Sequence, residues 1–147
     1  MSHYNGFNTQ ITDLEALVRA LCKEKIRGHV ITRDMIEVHD KPAKLNGYYG
    51  TDNRTAQVII RKQNYQGYGD MGFVKNSDGT YMAIVDDSDV NDQYRGSLQM
   101  HYNIEKTKMT FESKGIKYVE AKDEKGRIQL RAKFQDVSGS RIQVKAR

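Results

Sequence analysis

One cysteine, one proline and no tryptophan occur in these 147 residues. A lone Cys22 cannot close a disulfide within the chain and offers no paired-thiolate metal motif, so a reducing, intracellular setting is the default expectation. No apolar run approaches the ~20 residues that span a bilayer. The start of the chain lacks the basic-then-apolar profile of a signal peptide. The expected location is therefore the cytoplasm, with no membrane association.

Catalytic signatures are missing too. There is no HExxH, no GxxxxGK[ST] and no GxSxG, and "GYYG" and "GYGDMG" lack the strand-to-helix context of a dinucleotide site. Asp87-Ser88-Asp89-Val90-Asn91 opens like a calcium loop, D-x-D-x-N. It then puts Asp92 where glycine belongs and Leu98 where a bidentate glutamate belongs. Acidic residues just ahead of a helix are better explained as complements to its positive end. His3, His29, His39 and His101 form no ligand pair by spacing; His3 and His39 meet only if the first strand pairs beside the second. The sequence thus implies neither a cofactor nor a metal, and it leans away from an enzyme.

What is present is charge and amphipathic pattern. Lysine and arginine (24) exceed aspartate and glutamate (19), for a net charge of +5. That excess suits a polyanionic partner, or simply solubility. A hydrophobic fraction of 37% fits a thin, two-layer architecture. The length indicates one domain, assigned to residues 1–134, with 135–147 as a C-terminal extension or small extra strand.

Thr12-Asp13-Leu14-Glu15 reads as a capping box with Thr12 at the N-cap. Leu14, Leu17, Val18 and Leu21 follow at helical spacing, which predicts a helix over about 13–24. Tyr4 and Phe7 precede it, and the first ten residues are expected to form an edge strand built into the sheet. Residues 35–39 read as a short strand. Lys41 to Thr55, with the proline, two glycines and two asparagines, reads as a loop, and 56–62 as a strand. "MGFVKNSDGTYMAIVDD" reads as a hairpin turning at Asn76–Gly79. Leu98, Met100, Tyr102 and Ile104 alternate as in a strand, yet Tyr94, Leu98, Tyr102, Glu105 and Met109 fit helical spacing. Length and a Gly115 ending favour a second helix over 93–114. A second hairpin turns at Asp123–Gly126, its last strand placing Arg127, Gln129, Arg131 and Lys133 on one face and Ile128, Leu130, Ala132 and Phe134 on the other. The fold class is α+β: two helices packed on one face of a mostly antiparallel sheet of about six to seven strands.

The one pattern with a functional leaning is positive charge interleaved with aromatics. Arg54 and Arg61 flank a strand near Tyr48, Tyr49, Tyr65 and Tyr68, while Arg127, Arg131 and Lys133 line the last main strand. Basic sheet faces with aromatic platforms hold single-stranded nucleic acid in many proteins; lysines and arginines on a solvated face also block edge aggregation.

The segments "MSHY", "ITDLEALVRAL", "GYYG…AQVIIRK", "YGDMGFVKNSDGTYMAIVDD", "HYNIEKTKMTFESKGIKYVE" and "GRIQLRAKF" stand in an order that resembles the domain-of-unknown-function 1257 family. That family includes the conserved chloroplast open reading frame 35 proteins and has cyanobacterial and bacteriophage members. The resemblance runs over about residues 1–134. It marks His3, Asp70, Gly72, Phe73 and Tyr102 as family-motif positions of unknown role and carries over no activity. The plastid members' tryptophans are absent, with "DSDVNDQYRG" in their place. These departures suit a phage origin, for which the location is the host cytoplasm.

The favoured function is a non-enzymatic binding or adaptor module that contacts a protein complex or a nucleic acid through a basic sheet face. Its candidate binding residues are Arg54, Arg61, Tyr65, Tyr68, Arg127, Arg131 and Lys133. The alternative is a small-ligand or nucleotide-binding, sequestering protein. Oligomeric state is not readable from these residues.

Overall fold

A computed structural model describes residues 4–133 and 141–145. The chain runs β1 (Tyr4–Asn8), α1 (Leu14–Leu21), β2 (Lys25–Ile26), β3 (His29–Val30), β4 (Ile36–Gly47), β5 (Gly50–Ile60), β6 (Met71–Lys75), β7 (Tyr81–Asp86), α2 (Asp92–Ser113), β8 (Lys117–Lys122), β9 (Ile128–Lys133) and β10 (Arg141–Lys145). The class is α+β with antiparallel pairing throughout, but the strands divide among three sheets. A central sheet has the order β1-β7-β6-β5-β4, a second has β10-β9-β8, and β2 and β3 form a small ribbon. His39 on β4 therefore sits on the edge opposite β1, and the condition for its meeting His3 is not fulfilled. His3 and the proposed boundary at 134 lie outside the described residues.

α1 begins one residue later than its capping box implies. Asp13, not Thr12, is the N-cap, its Oδ1 accepting from the Ala16 N–H at 2.9 Å. Glu15 does not reach back to Thr12; it pairs with Arg33 at 2.8 Å. The Thr12 and Asp13 N–H groups both donate to the Tyr102 hydroxyl, at 3.1 and 2.9 Å. A tyrosine on the second helix thus satisfies orphan donors at the start of the first.

α2 explains its own ambiguous pattern. Tyr94, Leu98 and Tyr102 enter the main core with α1 and one face of the central sheet, beside Val58, Ile60, Phe73, Ala83 and Val85. Ile104 is buried on another side of the helix against Leu130, with Met100 and Phe111 packed around them. Residues two apart on a helix point to nearly opposite sides. Alternation here records a helix held between two sheets, not a strand. Asn91 caps its start, accepting from the Tyr94 N–H at 2.9 Å. Its end is a Schellman motif: the Ile116 N–H donates to Phe111 O at 2.9 Å and the Gly115 N–H to Glu112 O at 3.1 Å, with Gly115 at φ +67°.

The largest departure is the segment read as a loop over 41–55. It belongs to a hairpin of 12- and 11-residue strands, β4 and β5. Pro42 is tolerated because β4 is an edge strand and the ladder shifts register between Val38 and Ala43. The outer half of the hairpin returns across the second face of the central sheet. Leu45 is fully buried with Ala56, Ile59 and Ile84. A β-carbon built on Gly47 would lie 3.7 Å from the ring of Tyr4, on the opposite edge strand. The face opposite the helices is therefore covered by a second small apolar core, not left as an open cationic surface.

Candidate binding surface at the hairpin tip

The return of the hairpin is bolted by one carboxylate. Asp70 is 0% exposed. It accepts from Arg61 Nη1 (2.9 Å) and the N–H groups of Asn46 (2.7 Å) and Lys62 (2.8 Å). The Asp70 N–H donates to Asn46 O at 2.8 Å, and the Tyr4 hydroxyl donates to Asp70 O at 2.6 Å. Lys62 Nζ adds a bond to Gly47 O at 2.8 Å. Arg61 also forks onto Glu37, at 2.9 and 3.1 Å. The guanidinium holds the Glu37 carboxyl below its ordinary value, and Glu37 raises Arg61 in return.

Fastened this way, the tip presents a tyrosine cluster. Tyr48 and Tyr49 meet edge to face, ring centres 4.8 Å apart, and Tyr48 lies 5.3 Å from Tyr68. Tyr49 is 93% exposed. Cations already flank the group. Arg54 sits 4.6 Å over the ring of Tyr4, and Arg27 sits 5.3 Å over Tyr68. Arg54 is neutralised by Asp52 at 3.0 Å, whose carboxyl it holds down. Arg27 approaches Asp89 at 3.6 Å. Asp89 accepts the Tyr68 N–H (2.9 and 3.0 Å) and the Gly69 N–H (3.1 Å). Burial is the main cause that pushes the Asp89 carboxyl up, against those N–H groups.

Backbone strain gathers at the same place. Arg27 (φ 51°) and Gln66 (φ 53°) are the two non-glycine residues in the left-handed region among those described. Arg27 heads the turn between β2 and β3, and Gln66 precedes Tyr68 by two. Such conformations cost of order 1–3 kcal/mol and cluster where the surroundings hold a site in shape.

The seven candidate binding residues do not come together. Tyr68 and Arg54 belong to the tip. Arg61 lies behind it, engaged by Glu37, Asp70 and the Lys44 carbonyl. Tyr65 is only 1% exposed, its hydroxyl donating to Gly69 O beneath the loop. Arg131 and Lys133 belong to the second sheet, on the far side of α2, and Arg127 to the turn between its strands β8 and β9. There Arg127 closes a turn onto Asp123 at 2.6 Å, Arg131 keeps Nε buried without a hydrogen-bond partner among the described residues, and Lys133 is exposed.

Of the family-motif positions, Asp70 is the bolt and Tyr102 the helix bracket. Phe73 is a core ring. A β-carbon on Gly72 would lie 2.9 Å from both Ala56 Cβ and Leu45 Cδ2, so the returning hairpin requires glycine there. Arg27, Asp52 and Asp86 were not singled out from the sequence, and Asp89 was noticed only within the acidic run ahead of α2, as a failed calcium-loop match; no local signal places the four together. No grouping of three or more His, Cys, Asp or Glu suited to a metal exists among the described residues. No helix among them is long and apolar enough to cross a membrane.

Compared with known proteins, the chain matches no curated protein and no solved structure. Residues 32–130 match the family model described as "Protein of unknown function (DUF1257)". That span holds β4 to β8, α2, the hairpin tip and the Asp70 bolt, and so the chain belongs to the DUF1257 family.

Proposed function

We propose that this protein is a non-catalytic binding module that docks on a protein partner through the tyrosines of its hairpin tip. The observation that carries the reading is Tyr49, 93% exposed yet braced by Tyr48 and by the returning hairpin. Tyrosine supplies a large, rigid, amphipathic contact at low entropic cost, and it is enriched at interface hot spots. The arginines at and behind the tip support a protein partner over nucleic acid. Arg54 and Arg61 are already matched by Asp52, Glu37 and Asp70, so phosphates would have to displace carboxylates. Nucleic-acid contact through Arg131 and Lys133 remains the competing reading, and it has a distinct signature, steep loss of affinity with salt.

The test is quantitative affinity capture with the full chain beside the Tyr48→Ala/Tyr49→Ala double variant. The reading expects a stoichiometric protein complex that the double variant loses at least about tenfold, with thermal stability unchanged because both rings are exposed. Equal capture by both proteins, or salt-sensitive oligonucleotide binding that ignores the tyrosines, would refute it.

A further inference from the structure

Beneath the tip lies a cleft of about 190 Å³, lined by the rings of Tyr4, Tyr48 and Tyr49 and by Asp52 and Asp86. Its chemistry selects one sign of charge. Aromatic faces carry negative quadrupole density and attract ammonium or guanidinium groups. The molecule already uses one such face, since Arg54 lies 4.6 Å over Tyr4. Arg54 and Asp52 cancel one another at 3.0 Å. Asp86 is different: only 2% exposed, it accepts the Ser88 N–H at 2.9 Å, and it takes part in none of the ion pairs among the described residues. Its charge is left uncompensated at the cleft. The Tyr4 phenol registers that field. Burial is the chief cause that pushes it up, Asp70, Asp52 and Asp86 all add to the rise, and Arg54 alone opposes them.

We propose that this cleft receives a basic side chain of the protein partner, its cationic head resting against the tyrosine rings with Asp86 as counter-charge. The inference rests on the adaptor reading and names the chemistry its partner must offer. A projecting lysine or arginine would enter beside Tyr49 as the rings of Tyr48 and Tyr49 close on the surface around it. Charge complementarity fixes the occupant: an acidic or phosphorylated group would meet Asp86 without a compensating cation.

The experiment titrates the full chain, carbon-13-labelled at tyrosine, with n-butylammonium chloride at constant ionic strength, and follows the ring resonances. n-Butanol, butyrate and adenosine monophosphate serve as neutral, anionic and nucleotide comparisons. Saturable shifts at Tyr4 and Tyr49 are expected with butylammonium and little with the others. Asp86→Asn should weaken binding about tenfold, and Tyr49→Ala, at an exposed position that leaves the fold intact, about two- to fivefold. Equal shifts with butanol, or preference for butyrate or the nucleotide, would overturn the proposal. So would unchanged binding in a folded Asp86→Asn; if that variant does not fold, unchanged binding in Tyr49→Ala overturns it alone. The two readings fail separately. Loss of partner capture in the tyrosine double variant without butylammonium binding removes the cleft and keeps the adaptor. Butylammonium binding with unaltered capture does the reverse.

Discussion

The Asp70 carboxylate, itself 0% exposed, receives one guanidinium and two backbone N–H groups. Arg61 would keep Glu37 if Asp70 were removed, but the Asn46 and Lys62 N–H groups would lose their acceptor, at about 1–3 kcal/mol each. Asp70→Ala is therefore expected to destabilise the fold by about 2–5 kcal/mol in chemical denaturation. A loss under about 1 kcal/mol would show that water replaces the carboxylate readily. Gly72→Ala tests the packing beside it. Its new methyl would stand 2.9 Å from Ala56 Cβ, a rigid neighbour, and 2.9 Å from Leu45 Cδ2, a yielding one. Overpacking of that kind costs about 1–3 kcal/mol, and thermal denaturation should report it. At this scale the sequence marked Asp70 and Gly72 only as motif positions; what they do depends on Asn46 and Leu45, more than twenty residues earlier.

Among the elements, β1 gives the sharpest expectation. It pairs with β7 from Tyr4↔Asp86 to Asn8↔Met82, contributes Phe7 to the main core and Tyr4 to the second. Deleting residues 1–8 should lower the melting temperature by at least about 5 °C; an unchanged value would mean that β1 is not integral. That first strand, both helices and both later hairpins were legible in the sequence, because each rests on local signals such as caps, periodicity and turn glycines. Other features were not, among them the β2–β3 ribbon. The N-cap of α1 shifted to Asp13 because Tyr102, on a distant helix, claims the N–H groups around Thr12. The outer halves of β4 and β5, over 41–55, were read as a loop because Pro42, Gly47 and Gly50 are breakers by local rule, and only an edge position with register shifts makes Pro42 harmless.

Across the whole molecule, acid should loosen the fold. Asp13 is held below its ordinary value of 3.8, chiefly by the Ala16 N–H, and Asp52 likewise by Arg54. Glu15 and Glu37 are held below 4.5 by Arg33 and Arg61. A carboxyl so lowered adds stability that is complete above its ordinary value and lost as the pH falls through the lowered one. Asp89, pushed up by burial, works in the opposite sense and gains from protonation, but it is one group against six, since Asp78 and Asp123 are lowered as well. Melting temperature should hold at mildly acidic pH and decline once the pH drops below about 4.5; a rise there would contradict the assignment of these pairs. The division into three sheets, and the hairpin that crosses the central one, could not be seen in the sequence. They follow from packing such as that which puts Leu45 and Ile84 in one buried cluster, from strands far apart in the chain and not adjacent in the sheet.

That crossing is what gathers Tyr4, Tyr48, Tyr49 and Asp86 around one cleft, so it carries the account. The most direct measurement is a nuclear Overhauser experiment between the Tyr4 ring protons and the α-protons of Gly47. A strong cross-peak is expected, since a β-carbon on Gly47 would lie 3.7 Å from that ring. Its absence, with the β4–β5 ladder intact, would leave the hairpin extended into solvent and dissolve both the tyrosine cluster and the cleft beneath it.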